Sequence, residues 1–277
     1  MIQGDSLAIT VNVPGGLLAS ENIERYERFE TAGLRRLTGR EEDWLANHRG
    51  RPGAIVASAL LDACLVEVDG RAAPNDAARR LLAGDRDYLV LQLRRLTMGD
   101  AIHAVAACPE CGAKMDVNFD IASIPVDWRQ GGPALHSMAL EGGRTVRFRL
   151  PTGADQESVA ALSLEEAAAE LFDRCVEEAG ALSGAEQDAV IDAMEKVAPG
   201  VNLELDLACP ECSKSFLLPF DTTSFFFDEM RIPGDRLLRE VHALALYYHW
   251  SESDILGMER SRRRRYLALL RDATRED

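Results

Sequence analysis

The chain has 277 residues, of which 47% are hydrophobic and 28% are charged, and its formal net charge at pH 7 is −15. This composition is typical of a globular protein, and the negative charge argues against a general affinity for nucleic acid, whose phosphates it would repel. Because the sequence also lacks a signal peptide and an apolar run of membrane-spanning length, we expect a cytoplasmic protein without membrane contact.

Residues 1–100 are expected to form an N-terminal strand and a helical region. Apolar residues alternate with small or polar ones from Leu7 to Val13, and this period of two predicts a strand that ends at Pro14. Four helix signals then follow. Thr38 with Glu41 forms a capping box, and Ala54–Val66 is a long apolar run. Pro74 suits the first turn of a helix, and Asp85–Tyr88 gives an acidic start before the spaced leucines Leu89, Leu93 and Leu96.

Two nearly identical cysteine turns are the most informative feature of the sequence. They read Ala107-Cys-Pro-Glu-Cys111 and Ala208-Cys-Pro-Glu-Cys212, and alternating apolar residues on both flanks predict that each turn closes a β-hairpin. Gly112 follows the first turn, as expected where φ is positive, whereas Ser213 follows the second. Two such turns supply four thiolates, the number that a tetrahedral structural zinc ion needs. We therefore predict one structural Zn²⁺ bound by Cys108, Cys111, Cys209 and Cys212.

Other interpretations of a Cys-x-x-Cys pair are redox chemistry, a rubredoxin-like iron site and surface disulfides. A redox pair lies at the start of a helix and needs no duplicate, and disulfides are unexpected in a reducing compartment. Iron uses the same four ligands, so the sequence does not distinguish it from zinc. A site closed by four cysteines leaves no coordination position for a substrate, which favours a structural role.

The remaining two cysteines are expected to be core residues. Cys64 lies in the apolar run of a predicted helix, and Cys175 lies on the apolar stripe of another. A small apolar core residue is the common role of a cysteine in such a position.

Between the hairpins, residues 128–199 are expected to form a linker, a strand and two helices. The segment Trp128–Gly143 contains four glycines and is the most linker-like part of the chain. The elements predicted after it are a strand at Thr145–Leu150, a helix over about Asp155–Glu178, and a second helix that begins at the capping box of Ser183 and Glu186.

The C-terminal segment differs from the rest of the chain in charge. Residues 228–277 carry ten acidic and ten basic side chains, so residues 1–227 account for the whole negative excess. Three helices are predicted after Pro233, and the third carries a basic cluster of Arg260 and Arg262–Arg265. A helix-turn-helix would place such arginines on DNA. In a chain of this net charge we favour a partner-docking surface whose arginines contact acidic groups.

No catalytic centre is indicated. The sequence contains no Walker loop, dinucleotide fingerprint, His-Glu-x-x-His motif or nucleophile elbow, and its five histidines are scattered. We therefore predict no catalytic residues, no bound organic cofactor and no enzymatic activity.

Several segments together resemble a known family. They are Leu37–Leu45, Asp85–Tyr88 with Leu93 and Arg94, the two cysteine turns, Leu238–Ala245 with Tyr248–Leu256, and Arg263–Leu267. The arrangement is similar to the T-even-phage baseplate hub assembly chaperone family, in the larger zinc-knuckle form found with contractile phage tails and contractile injection systems. This resemblance implies a non-enzymatic factor that acts on hub, spike or wedge proteins, and it assigns zinc ligation to the four knuckle cysteines. It leaves open whether the protein stays in the finished particle.

The sequence thus predicts an α+β fold, mainly helical, with a central zinc-knuckle β-hairpin module interrupted by a helical insertion. The expected function is a structural or assembly factor of the baseplate; the alternative is a zinc-ribbon regulator that binds nucleic acid through its C-terminal helices. The expected domains are the N-terminal region 1–100, the hairpin module 101–127 with 200–227, the insertion 128–199, and the partner-docking segment 228–277.

Overall fold

The computed structural model describes residues 9–21, 23–140, 143–177, 180, 182–201, 204–219, 222–230 and 234–273. The fold is α+β, as predicted, with helices packed around small antiparallel sheets. Within these residues, no helix combines the length and the apolar character that a membrane crossing requires.

Helices and short strands alternate along most of the chain. The strands are β1 (Ile9–Asn12), β2 (Leu17–Ala19), β3 (Tyr26–Arg28), β4 (Thr31–Leu34), β5 (Leu65–Val68), β6 (Arg71–Ala72), β7 (Ala101–Ala107), β8 (Lys114–Asp120), β9 (Val126–Asp127), β10 (His136–Ala139), β11 (Thr145–Phe148), β12 (Val176–Glu177), β13 (Gly200–Val201), β14 (Glu204–Ala208) and β15 (Ser215–Pro219). The helices are α1 (Gly39–Asn47), α2 (Gly53–Cys64), α3 (Ala77–Arg80), α4 (Ala83–Met98), α5 (Gly153–Val159), α6 (Leu164–Cys175), α7 (Gly184–Val197), α8 (Thr222–Met230), α9 (Gly234–Tyr248), α10 (Glu252–Leu256) and α11 (Arg260–Ala273).

The main hydrophobic core lies between an antiparallel sheet, in the order β1-β4-β5-β6, and helices α1, α2, α4 and α8. The predicted N-terminal strand is confirmed from Ile9 onward, while Leu7 lies outside the described residues. The predicted stripe of α4 is also confirmed, because Leu89 and Leu93 are fully buried and Leu96 packs against the same core. The largest fully buried apolar side chains of this core are Leu34, Leu37, Leu60, Leu61, Leu81, Leu89, Leu93 and Phe226.

Two expectations for the N-terminal region were wrong. The region is not simply a strand and helices, because strands β2 to β6 also form there; each has only two to four residues, too few for an alternation to stand out. Pro74 does not begin a helix, since α3 begins at Ala77 after Asp76, whose φ of 62° is incompatible with a right-handed helix. The apolar run that begins at Ala54 is helical to Cys64 and then continues as β5.

Capping boxes set the start of several helices. The two predicted from sequence, at Thr38 of α1 and Ser183 of α7, are confirmed with both reciprocal hydrogen bonds. A further box that the sequence analysis missed, Ser163 with Glu166, begins α6. The long helix predicted over 155–178 is therefore wrong: α5 ends at Val159 and α6 is a separate helix, while Glu178 lies outside the described residues.

The segment predicted as a linker is part of the fold. Residues 136–139 form β10 in a three-stranded sheet with β11 and β12, which packs against α7. The N–H of Arg129 donates to the carbonyl of Pro14 at 2.8 Å, and the Gln130 side chain donates to the carbonyl of Val13 at 2.7 Å. Glycine content alone was misleading here, because Gly131 and Gly143, both with φ 81°, shape turns rather than a free connection.

The three predicted C-terminal helices are confirmed as α9, α10 and α11; α9 and α10 pack against α1, and α11 packs against α9. Val241, Leu244 and Ile255 form their buried core, whereas Leu238, which was predicted on the same stripe, is 56% exposed. The predicted turn at Pro233 lies outside the described residues. Phe225–Phe227, which the sequence analysis placed at the end of the hairpin module, lie in α8, and Phe226 and Phe227 pack into the main core.

Candidate metal centre

The two cysteine turns have the same backbone structure. The first closes the hairpin β7–β8, and the second closes the hairpin β14–β15. The N–H of Gly112 donates to the carbonyl of Cys108 at 2.9 Å, and at the equivalent place the N–H of Ser213 donates to the carbonyl of Cys209 at 2.9 Å. Gly112 has φ 73° and Ser213 has φ 57°. The second turn therefore holds a residue with a side chain in the left-handed region, which makes it less relaxed than the first.

The two turns meet tip to tip and bring all four predicted cysteines together. Cys108 Sγ lies 3.7 Å from Cys212 Sγ, and Cys111 Sγ lies 3.6 Å from Cys209 Sγ. All four sulfurs lie within 4.8 Å of one another. In each close pair the first cysteine of one turn meets the second cysteine of the other, which gives the cluster a local two-fold symmetry. Cys108 and Cys209 are buried, Cys212 is half-buried and Cys111 is exposed.

The sulfur spacing fits a tetrahedral metal ion. Metal–sulfur bonds of about 2.3 Å place the sulfurs of a tetrahedron about 3.8 Å apart. The two shortest sulfur contacts, at 3.6 and 3.7 Å, are close to that edge length. A disulfide bond needs a separation of about 2.05 Å, which neither pair approaches. The four cysteines could therefore bind one metal ion, whose identity this geometry does not specify.

Backbone N–H groups of the turns point at the sulfurs. The N–H of Cys212 and, more weakly, the N–H of Glu211 donate to Cys209 and lower the pKa of its thiol to about 7. The N–H of Lys214 also lowers the pKa of Cys212, but burial and hydrogen bonds with the neighbouring sulfurs raise it to about 12. Ionisation of one thiol thus opposes ionisation of the others, and a bound cation would offset that repulsion.

The bases of the two hairpins are joined without any metal. Strand β9 follows the first hairpin and pairs with β13, which precedes the second, so that Val126 lies opposite Val201. A small core of Leu91, Ile102, Ile121 and Ile124 lies below the first hairpin. The cysteine cluster therefore joins the far ends of two hairpins whose bases are already held together.

The other two cysteines are buried and lie outside the four-cysteine cluster, as predicted. Cys64 is 0% exposed in the main core, and Cys175 is 1% exposed at the end of α6. Neither belongs to the group of residues that could hold a metal ion. Burial raises the pKa of Cys64 to about 12 and that of Cys175 to about 11.

A family model described as "T4 bacteriophage base plate protein" matches residues 30–227. The chain belongs to this family. The matched residues include both cysteine turns and most of the main core, whereas helices α9 to α11, which contributed to the resemblance seen in the sequence, lie beyond them. No curated protein and no solved structure matches the chain significantly.

Membership of a T4-type base plate family gives the chain a structural role in a phage baseplate. Proteins of such an assembly work by contacting other baseplate proteins, and the family indicates a place in the phage particle and a non-enzymatic role. The resemblance to a phage baseplate family that the sequence showed is therefore confirmed.

The sequence analysis missed a buried ion cluster between the ends of the chain. Arg263 of α11 is fully buried and donates to Glu42 of α1 through Nη2 and to Glu240 of α9 through Nε. Arg260 also donates to Glu42, at 3.1 Å. A signal was present, because Arg263 lies four and seven residues before Leu267 and Leu270 and so belongs to the inward stripe of α11. Two of the arginines predicted to face a partner instead pair within the chain.

Proposed function

We propose that the chain is a non-enzymatic structural or assembly factor that contacts hub, spike or wedge proteins at the base of a contractile phage tail or injection system. The family match over residues 30–227 is the observation that carries this proposal. The negative charge of the chain supports protein partners over nucleic acid. The protein would act in the cytoplasm, where reducing conditions keep its thiols available for a metal ion.

The proposal includes one structural Zn²⁺ per chain. Its ligands would be Cys108, Cys111, Cys209 and Cys212, whose sulfur spacing supports a tetrahedral site. When bound, the ion would hold the tips of the two hairpins together and leave no coordination position for a substrate. An iron ion would use the same four ligands, so the purified protein must be analysed for both metals.

Removal of the gene from its host phage or injection-system cluster tests the assembly role. We expect electron microscopy to show no complete contractile particles, and we expect the wild-type gene supplied on a plasmid to restore them. Affinity purification of the tagged chain from the same cells should retain hub, spike or wedge proteins. Normal particles in the deletion strain, with normal contraction, would contradict the proposal.

The alternative, a nucleic-acid-binding regulator, has weaker support. Arg260 and Arg263 are engaged with Glu42, which leaves fewer arginines of α11 for phosphate contacts. Duplex DNA binding by the purified chain at near-physiological salt, with a steep dependence on salt concentration, would favour the alternative over the baseplate role.

A further inference from the structure

Charge is unevenly distributed between two exposed surfaces of the chain. Residues 1–227 carry 36 acidic and 21 basic side chains, whereas residues 228–277 carry ten of each. The first range contains an acidic groove, and the second contains a helix face that carries arginines. We define them here as the acidic groove and the arginine stripe.

The acidic groove runs across the junction of α4, α7, β9 and β13. It consists of two adjoining cavities of about 490 and 480 Å³ that share Leu82, Leu150 and Pro199 in their walls. Four carboxylates line the first cavity: Asp87, Asp127, Glu195 and Glu204. Glu195 and Glu204 are exposed, and neither has an ion-pair partner within the described part of the chain.

The second cavity gives the groove an apolar half. Trp128, which is 47% exposed, lies in its wall with Leu17 and Val197. The ring of Trp128 is fixed by an edge-to-face contact with Tyr88, at 5.8 Å between centroids. An occupant of the groove therefore needs positive charge next to an apolar side chain.

The arginine stripe has that composition. Arg262, Arg265 and Leu269 follow one another at intervals of three and four residues, so they share one face of α11. All three are exposed, with Leu269 at 55%, because this face is turned away from the buried Arg263. Among the described residues, neither Arg262 nor Arg265 forms an ion pair, in contrast to Arg260 and Arg263.

We propose that two copies of this chain associate head to tail, with the arginine stripe of one copy in the acidic groove of the other. Arg262 and Arg265 meet Glu195 and Glu204, while Leu269 packs in the apolar half of the groove beside Trp128. The contact joins two different surfaces, so in a dimer one copy keeps a free groove and the other keeps a free stripe. Repetition of the contact builds a ring or an open filament. This inference rests on neither the zinc ion nor the baseplate role.

Charge-reversal variants of the full chain test the pairing. One variant carries Arg262→Glu with Arg265→Glu, and the other carries Glu195→Lys with Glu204→Lys. By sedimentation equilibrium at low salt, the wild type associates in a concentration-dependent manner, and added salt reverses the association because it screens exposed charges. Each variant alone is monomeric, since it keeps only one of the two surfaces. An equimolar mixture associates again, because the intact groove of the first variant accepts the intact stripe of the second and the two reversed surfaces are also opposite in charge.

Matched controls reverse exposed charges elsewhere, with Arg25→Glu and Arg239→Glu for the basic set and Glu165→Lys and Asp173→Lys for the acidic set. These controls associate as the wild type does, and all variants keep the wild-type melting temperature because the altered side chains are exposed. A wild type that stays monomeric up to its solubility limit overturns the proposal. So does a mixture of the two test variants that stays monomeric, or association that either variant leaves unchanged.

Discussion

Arg263, on the last helix, is fully buried against Glu42, on the first, although 221 residues separate them in the sequence. Glu42 also accepts from Arg260, and Glu240 shares Arg263, so two carboxylates and two guanidinium groups form one buried cluster. The cluster attaches the C-terminal helices to α1. Deletion of those helices would leave Glu42 buried without its partners. The C-terminal helices are therefore an integral part of the fold and not a detachable docking segment.

We expect Arg263→Ala to lower the free energy of unfolding by about 3 kcal/mol, because removal of one partner leaves a buried charge uncompensated. The double variant Glu42→Gln/Arg263→Met should recover part of that loss. Urea denaturation followed by circular dichroism measures both. Arg239→Ala, which alters an exposed arginine of α9, is the control and should change stability by less than about 0.5 kcal/mol. Equal stability of Arg263→Ala and wild type would show that the cluster does not hold the two ends together.

The proposed zinc site predicts one Zn²⁺ per wild-type chain and none in Cys209→Ser/Cys212→Ser or Cys108→Ser/Cys111→Ser, because each turn supplies only half of the ligands. Elemental analysis by mass spectrometry of the purified proteins measures this. Cys175→Ala is the control and should retain full zinc, since Cys175 lies outside the cluster. Full zinc in either double variant would contradict a site shared by both turns.

Thiol labelling should separate the cysteines into two classes. Cys64 and Cys175 should resist alkylation in the folded protein, because burial raises their thiol pKa values to about 12 and about 11 and excludes the reagent. After chelation, the exposed Cys111 should react fast. Digestion and mass spectrometry identify the labelled positions. Rapid labelling of Cys64 without unfolding would be inconsistent with its place in the core.

Acid should destabilise the insertion through Asp155. Burial raises the pKa of this carboxyl, but hydrogen bonds from Arg149, Thr152 and Arg174, together with the charge of Arg149, lower it overall to about 2. A carboxyl with a depressed folded-state pKa contributes stability that is present above its unfolded pKa and is lost as the pH falls through the folded pKa. We therefore expect about 2 kcal/mol to be lost between pH 4 and pH 2.

Asp155→Asn should remove that part of the pH dependence, whereas Asp173→Asn, at an exposed position of α6, should not. Urea midpoints measured at pH 2, 3, 4 and 7 compare the two variants with wild type. An Asp155→Asn protein with the wild-type acid profile would assign the acid sensitivity to other carboxyls.

Gly84 permits a close approach of α4 to β13. A Cβ at this position would lie 1.8 Å from the carbonyl oxygen of Pro199, a backbone atom that cannot move aside without displacing the strand. We expect Gly84→Ala to cost about 2 kcal/mol. Gly53→Ala, also in a helix but with open space around the new Cβ, should instead stabilise the protein by about 0.5 kcal/mol. Thermal melting distinguishes them, and an equal shift in both would argue against steric contact at Gly84.

The sequence predicted those parts of the structure whose signals are local. The capping boxes at Thr38 and Ser183, the hairpins and the four-cysteine cluster follow from residue types a few positions apart, or from two turns so alike that a shared site was expected. The break before Ser163 was missed even though its signal is a capping box of the same kind, because the apolar stripe continued across it.

Other parts depended on information from distant segments. The burial of Arg263 requires Glu42 and Glu240, so a run of arginines looked like an exposed surface until its partners were known. The short strands β2, β3 and β6 form because neighbouring strands offer them hydrogen bonds, not because their few residues favour a strand.

The separation of the two cysteine turns also imposes an order of events during synthesis. At a translation rate of about 5–20 residues per second, Cys209 leaves the ribosome about 5–20 s after Cys108. For that interval the nascent chain presents two thiols of an incomplete site, to which a metal ion binds weakly because two further ligands are missing. The first hairpin must therefore persist on its own base contacts until Cys209 and Cys212 have been synthesised.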